Sequence, residues 1–246
     1  MPFLDTSSLI TLALGFALGL RHATDADHIV AVSTLVSNAG GAARRGAKIG
    51  AFWGAGHLLT IFLIGSVLVL LRLKIPPRVE WALELMVAMV LIGLGVSTIS
   101  KCFTGRFHFH QHQHGERAHA HLHFHNAGQP NHEHSSHSPP LQRHRAPLLL
   151  GMAHGLAGTA GLALLVLTSI PTRMLGILYL IVFGLGALAG MAAFGLVLGV
   201  ALALPAAHES NRLRWLNGMR LLAGASSGVL GVVLVWRALL PHAWPF

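Results

Sequence analysis

The sequence is poor in charge, above all in acidic residues, and in cysteine. Only 10% of its 246 residues are charged, against roughly 25% in a typical soluble domain. The single cysteine, Cys102, excludes an internal disulfide. Neither a GxxxxGK(S/T) phosphate-binding loop nor a DKTG-like phosphorylation motif occurs, so nothing in the sequence supports ATP-driven chemistry. The N-terminus lacks the basic segment of a cleaved signal peptide, and we expect the first apolar stretch to remain in the mature protein.

Apolar residues, by contrast, are abundant. They make up 53% of the chain, whose mean hydropathy is +0.62, and apolar stretches of about the 20 residues that span a bilayer recur along its whole length. The net charge of +9 is divided among short clusters between these stretches, which is typical of membrane topology and not of nucleic-acid binding. The sequence therefore predicts an all-α membrane protein that contacts the lipid bilayer and no nucleic acid.

Six transmembrane helices are predicted, in two groups of three. The first covers 8–36 and is interrupted by a polar cluster at 21–28, and the others cover 49–71, 81–103, 147–170, 175–204 and 215–240. The chain is thereby divided into a first membrane half at 1–103, a loop at 104–146 and a second membrane half at 147–246.

The two halves resemble each other in sequence. The segment GLRHATDADHIVAV from Gly19 aligns with GMAHGLAGTAGLAL from Gly151, FWGAGHLL from Phe52 aligns with VFGLGALA from Val182, and GLGV aligns with VLGV in the third helix of each half. Because each half has three helices, the second copy enters the membrane from the other side, and a 3+3 inverted repeat is predicted. Such repeats hold a substrate near the midplane, between the halves.

Lysine and arginine predict the orientation of the chain. The loops after the first, third and fifth helices, together with the adjoining ends of the helices, contain eleven of these residues, and those on the opposite side contain five. The more basic side is expected to face the cytoplasm, with both termini outside the cell membrane and the loop at 104–146 inside.

Two carboxylates and two imidazoles interrupt the first apolar stretch, in the sequence RHATDADH at 21–28. A carboxylate at the bilayer centre costs on the order of 2.5–3.5 kcal/mol, so it normally faces a partner or a cavity. Imidazole suits nickel, cobalt, zinc and copper, and carboxylate neutralises the charge of a dication. The predicted metal ligands are therefore His22, Asp25, Asp27 and His28. Arg21 is expected either to pair with a carboxylate or to keep the empty site near neutrality.

Helix geometry leaves two arrangements of this cluster open. On a straight helix, with ~100° per residue, His22, Asp25 and His28 share one face and Asp27 points elsewhere. A kink or an unwound turn would bring Asp27 to the same ion, which membrane proteins tolerate where the backbone lines a cavity. Two other interpretations are a structural ion-pair cluster that joins helices, and the His/Asp pair of membrane acyltransferases.

The segment RHATDADHI resembles the signature of the nickel/cobalt transporter family, H-x4-D-H in a membrane helix, with His22, Asp27 and His28 at the signature positions. The resemblance implies that these three residues recognise the metal, with Asp25 close to them, and that the transported substrate is Ni²⁺ or Co²⁺. A second family element, a Gly-His pair in the next helix, resembles Gly56-His57.

A third element of that family, an LGFDTATE-like stretch, is absent. Its place is taken by GMAHGLAGTAG at 151–161, with His154 and Thr159 but no carboxylate, which is similar to the shorter urease-accessory or nickel-permease-like relatives. Because the repeat aligns His154 with His22, and His57 lies in the adjacent helix, both histidines are predicted to contribute to the metal site. Thr159 is predicted to be an accessory residue.

The loop at 104–146 contains twelve histidines, many at alternate positions, among Gly, Pro, Ser and Asn. This composition predicts a disordered segment, and neutral imidazoles make flexible donors for borderline metals. We expect the loop to collect metal ions on the cytoplasmic side, where a metallochaperone is a candidate partner, and not to form the selective site.

These patterns predict a secondary transporter of a divalent transition metal ion, with no cofactor and no enzymatic activity, and the resemblance to uptake permeases implies import. Three alternatives remain from the sequence: metal efflux, a membrane enzyme that uses the His/Asp cluster, and a metal sensor or accessory protein that does not transport.

Overall fold

Seven helices and one β-hairpin are present in the residues that the computed structural model describes, which are 5–40, 42–73, 75–103, 107–114, 117–124, 140–157, 170, 172–204 and 209–240. The elements are α1 (Thr6–His22), α2 (Ala26–Asn38), α3 (Ala43–Leu71), α4 (Pro77–Phe103), β1 (Phe107–His114), β2 (Arg117–Phe124), α5 (Pro140–Ala157), α6 (Arg173–Ala203) and α7 (Glu209–Leu239).

Four of these helices are long and apolar enough to cross a membrane: α3, α4, α6 and residues 214–239 of α7. Their outward faces carry large apolar side chains, for example Leu63, Val197 and Val229, as lipid contact requires. The chain is thus a helical membrane protein. The first of the six predicted spans is divided between α1 and α2, and the one at 147–170 is described only as far as Ala157.

The centre of the molecule is the packing of α3 on α6. Helix α1 packs on α6, α5 packs on α3, and α4 packs on α7, while α2 lies against α6 and α7. Glycines allow the closest approaches, because a methyl group on Gly19 would collide with the backbone carbonyl of Phe183, and one on Gly151 with the backbone carbonyl of Trp53. Small residues at such crossings let membrane helices associate through backbone contact.

The helix that contains the polar cluster is broken. Helix α1 ends at His22, and Asp25, with an extended backbone (φ −62°, ψ 145°), precedes the first residue of α2. The amide N–H groups of Thr24 and Asp25 donate to the carbonyls of Arg21 and His22 (2.8 and 3.0 Å), which closes a tight turn between the helices. The straight-helix arrangement is therefore wrong, and the alternative with an unwound turn is the one found.

The histidine-rich segment differs from the predicted disordered loop. Strands β1 and β2 pair antiparallel, with His108 opposite His123 and His110 opposite His121, and α5 already begins at Pro140. The alternation of histidine with other residues has a period of two, which is also the period of a β-strand. This explains how a polar, flexible composition is compatible with a hairpin.

Candidate metal centre

Four helices bring four histidines and two aspartates together inside the bundle. The carboxyl end of α1 supplies His22, the start of α2 supplies Asp27 and His28 with Asp25 just before it, the middle of α3 supplies His57, and α5 supplies His154. All four imidazoles are buried, and His57 is fully inaccessible. These are the six residues that the sequence predicts as ligands, and the fold gathers them from positions up to 132 residues apart in the sequence.

Three imidazoles form a first group of potential ligands, which consists of His22, His28 and His57. One nitrogen from each lies within 4.8 Å of the others, and the Nε2 atoms of His22 and His57 are 3.1 Å apart. The His28 ring lies with its centroid 4.5 Å from that of His22 and 5.0 Å from that of His57. This all-nitrogen group is enclosed by α1, α2 and α3.

A second group combines one carboxylate with two imidazoles, and consists of Asp27, His28 and His154. The carboxylate oxygens of Asp27 lie 3.1 Å from His28 Nδ1 and 2.8 Å from His154 Nε2. His154 therefore reaches the cluster from the second half of the chain, while His28 belongs to both groups. The unwound turn between α1 and α2 is what brings Asp27 into this position.

Asp25 occupies a different position from Asp27. Its side chain is 49% exposed, and its Oδ2 accepts a hydrogen bond from His22 Nδ1 at 2.8 Å when that nitrogen carries the proton. In that tautomer the lone pair of His22 is on Nε2, which faces His57. A carboxylate behind a histidine is a common way to orient a metal ligand and raise its basicity. Asp25 thus supports His22 from outside either three-residue group.

Of the two predicted accessory residues, Arg21 does not join the cluster. Arg21 is exposed at the end of α1, and the ion pairs within the described part of the chain link the two carboxylates to histidines and not to Arg21. The expected pairing of Arg21 with a carboxylate is therefore not found there. Thr159 lies outside the described residues.

Two aromatic residues pack on the cluster, and neither was predicted from the sequence. The ring centroid of Trp53 lies 5.4 Å from that of His154, and that of Phe183 lies 5.5 Å from that of His22. Trp53 is one helical turn before His57 on α3, so helix periodicity could have placed it on the same face. Both rings are buried and shield the imidazoles from lipid.

Arg220 of α7, one of the basic residues that predict the orientation of the chain, is also buried. Its Nε donates to the carbonyl of Ser37 at 3.1 Å, and its Nη1 donates to Asn217 Oδ1 at 3.2 Å. Beside it, Asn38 Nδ2 donates to Thr98 of α4 at 2.8 Å. These bonds hold the carboxyl end of α2, the helix that carries Asp27 and His28, against α4 and α7.

The cluster contains imidazole nitrogens that could bind a divalent transition ion. Both carboxylates are paired with imidazoles, yet the buried atoms His28 Nε2, His57 Nδ1 and His154 Nδ1 have no hydrogen-bond partner among the described residues. A buried polar atom without a partner costs about 1–3 kcal/mol, and native structural networks rarely leave several of them. A metal ion bound to these imidazole nitrogens would supply the missing partner.

The fold and this cluster define a helical membrane protein with a buried set of potential metal ligands. The chain is 31% identical over 237 residues, 94% of its own length and 92% of its relative's, to the urease accessory protein UreH of Bacillus sp. (strain TB-90). It therefore belongs to the UreH family of urease accessory proteins.

No family model matches the chain, and no solved structure matches it. The relative's name describes a protein that assists an enzyme. This agrees with the prediction that the chain is not itself an enzyme.

Proposed function

We propose that this protein is a secondary transporter that carries Ni²⁺, or Co²⁺, across the cell membrane into the cytoplasm. The observation that carries the proposal is the buried cluster, in which two overlapping three-residue groups of metal-binding side chains meet among four helices. A carboxylate inside a membrane protein, such as that of Asp27, costs free energy unless it interacts with an ion or another partner. His22, Asp27, His28, His57 and His154 are the proposed ligands.

The type of ion follows from the donors and from the relative. Imidazole-rich sites favour nickel, cobalt, zinc and copper over manganese and magnesium, which prefer oxygen. The relationship to a urease accessory protein, together with the resemblance of RHATDADHI to the signature of the nickel/cobalt transporter family, favours nickel and uptake. An inside-negative potential of 100 mV would by itself contribute about 4.6 kcal/mol per imported dication, so import needs no ATP-dependent domain.

The proposed architecture is the inverted repeat, and the contacts between α1 and α6 and between α3 and α5 support it. In the alignment of the two halves, Gly19 corresponds to Gly151 and Trp53 to Phe183. A methyl group on Gly19 would meet the carbonyl of Phe183, and one on Gly151 would meet the carbonyl of Trp53. The same contact thus occurs twice, with the roles of the halves exchanged, as a two-fold relation between them would require.

The pair α4 and α7 supports the repeat independently. The alignment matches Gly95 with Gly231. A methyl group on Gly95 would lie 2.7 Å from the carbonyl oxygen of Gly224 and 2.7 Å from the amide nitrogen of Gly228, and one on Gly231 would lie 2.7 Å from the carbonyl oxygen of Ala88 and 3.0 Å from the amide nitrogen of Ile92. In both cases the contact is made to a carbonyl and to the amide one turn later.

In the proposed orientation the termini lie outside and the histidine-rich segment lies in the cytoplasm, where it collects the imported ion and passes it to a metallochaperone. The basic residues of the loops support this orientation. The hairpin register supports the collecting role, because it brings histidines opposite one another in adjacent strands.

Uptake of radioactive nickel into proteoliposomes tests the proposal. Wild type should accumulate nickel, and both His22→Ala and Asp27→Asn should abolish accumulation, because each removes a donor or the charge from the cluster. Gly93→Ala is the matched control, since Gly93 is exposed on α4 with open space around it. Equal uptake by wild type and both cluster variants would contradict the proposal.

Whole cells test the direction. Expression of an importer raises cell-associated nickel relative to the Asp27→Asn variant, and expression of an exporter lowers it. A decrease would replace uptake by efflux, which the same cluster could also serve.

A further inference from the structure

His28 is the central ring of the cluster. Its centroid lies 4.5 Å from those of His22 and His154 and 5.0 Å from that of His57, whereas His57 and His154 are 6.3 Å apart. His28 is also the residue that the two potential ligand groups share. An ion held by either group would therefore be bound to His28.

The two nitrogens of His28 have different surroundings. Nδ1 lies 3.1 Å from Asp27 Oδ1, in the second group, while the buried Nε2 has no hydrogen-bond partner in the described part of the chain. Nε2 is consequently the nitrogen that remains for the first group with His22 and His57. His28 thus offers one ring nitrogen to each of the two groups.

In a neutral imidazole one ring nitrogen carries a proton and cannot bind a metal, so two ions could be bound at once only if His28 lost that proton and bridged them as an imidazolate. Two dications bound to the same imidazole ring would in addition repel each other strongly in a protein interior of low dielectric constant. The two groups are therefore better understood as alternative positions for one ion than as a two-metal site.

We propose that a single transported ion occupies these two groups in succession. It moves from Nε2 to Nδ1 of His28, with the ring proton shifting to the nitrogen that the ion leaves, while it exchanges His22 and His57 for Asp27 and His154. This inference rests on the proposed transport function. It assigns different roles to two histidines: His57 determines which metal is accepted, and His154 determines how fast the accepted ion moves on.

The chemistry of the donors leads to this division of roles. The first group offers three imidazole nitrogens and discriminates against ions that prefer oxygen, such as Mn²⁺. In the second group the carboxylate of Asp27 adds negative charge and an oxygen donor, which lowers the discrimination between metals but attracts any dication. Selection therefore belongs to the group with His57, and transfer belongs to the group with His154.

The packing of the helices allows such an exchange. Asp27 and His28 both lie on α2, whose carboxyl end is bound to α7 and α4 through Arg220 and Asn38. His57 and His154 lie on α3 and α5, which pack on each other. A small shift of α2 relative to α3 and α5 changes the distance from His28 to His57 and the distance from His28 to His154 at the same time.

The same substitution in each group provides the test, with the full-length protein in proteoliposomes. His57→Asp and His154→Asp each replace an imidazole by a carboxylate. Nickel uptake is measured alone and in competition with Mn²⁺. We expect His57→Asp to make Mn²⁺ an at least tenfold better competitor while uptake continues. We expect His154→Asp to slow uptake at least tenfold without changing the competition, and His28→Ala to abolish uptake.

Equal shifts of metal preference in the two Asp variants, or undiminished uptake by His154→Asp, would overturn the two-position mechanism while transport itself stands. A wild type without nickel uptake would instead overturn the proposed function. Elution as a single species in detergent and unchanged thermal unfolding without metal establish that each variant is folded. If His57→Asp does not fold, His57→Gln replaces it, because the amide is neutral, of similar size and offers oxygen in place of the imidazole nitrogen.

Discussion

The contact between α3 and α5 beside the cluster leads to a quantitative prediction for Gly155→Ala. An alanine Cβ at this position would lie 2.8 Å from the carbonyl oxygen of His57 and 3.1 Å from its Cα, whereas ordinary contacts begin at 3.4 Å. The helices must therefore separate by roughly half an ångström, since close-packed backbone leaves no free space for the methyl group. Overpacking of this kind costs about 1–3 kcal/mol, and at about 1.4 kcal/mol per factor of ten the ratio of folded to unfolded protein falls by about 5- to 150-fold.

The same displacement affects the cluster, because Gly155 follows His154 directly. Metal–ligand distances tolerate deviations of only about 0.2 Å, so a shift of roughly half an ångström between α3 and α5 exceeds what a bound ion accepts. We expect Gly155→Ala to lower the free energy of unfolding in detergent by about 1–3 kcal/mol. We also expect it to reduce nickel uptake by more than its lower stability alone would explain.

Gly93→Ala is the control for Gly155→Ala. Its methyl group would meet nothing within 4 Å, so the change should be neutral or stabilise the helix by up to about 1 kcal/mol through helix propensity. If Gly155→Ala has the same stability and nickel uptake as Gly93→Ala, then the backbones of α3 and α5 are not in contact at Gly155.

Three further predictions concern packing and helix ends. Gly95→Ala should lower the free energy of unfolding by about 1–3 kcal/mol, measured in detergent against Gly93→Ala, because its methyl group would press on α7; equal stabilities would contradict the α4–α7 contact. Asn38→Ala removes the hydrogen bond to Thr98 and should cost about 0.5–1.5 kcal/mol in the same assay, and an unchanged stability would refute a structural role for that bond. Asp5 caps α1, and the hydrogen bonds that its carboxyl group accepts from Ser8 lower the pKa of that group. The stabilisation of the helix end is therefore present at neutral pH and is lost as the pH falls below the ordinary aspartate range of about 4. The free energy of unfolding measured against pH should lose this dependence in Asp5→Ala, and identical pH profiles of the two proteins would contradict the capping role of Asp5.

Much of the candidate site could be anticipated because its signals are local. The signature around His22 and His28 is contiguous, and a helix period that cannot bring Asp27 to the same face already suggests an unwound turn. His57 follows a Gly-His pair, and His154 follows from aligning the two halves. In each case a polar residue within apolar sequence stands out from its surroundings.

The remainder could not be predicted, for a physical reason. A membrane helix is apolar on its lipid-facing and protein-facing sides alike, so hydropathy does not reveal which side is buried. The contacts of Trp53 and Phe183 with the cluster, and the supporting position of Asp25 behind His22, depend on helix rotation and on the direction of the turn after α1. The hairpin was not predicted because the polar composition of the segment is typical of disorder, although its alternating histidines have the period of a β-strand.

The break after α1 also affects hydration. At about 1.5 Å per residue, the 17 residues of α1 extend for roughly 25 Å before the chain unwinds, less than the ~30 Å thickness of the hydrocarbon layer. The half-exposed carboxylate of Asp25 and the backbone of the turn cannot be solvated by acyl chains, so water has to reach them. The insulating layer that an ion must cross is consequently thinner at this point than the bilayer around it, by about the 5 Å that separates these two lengths.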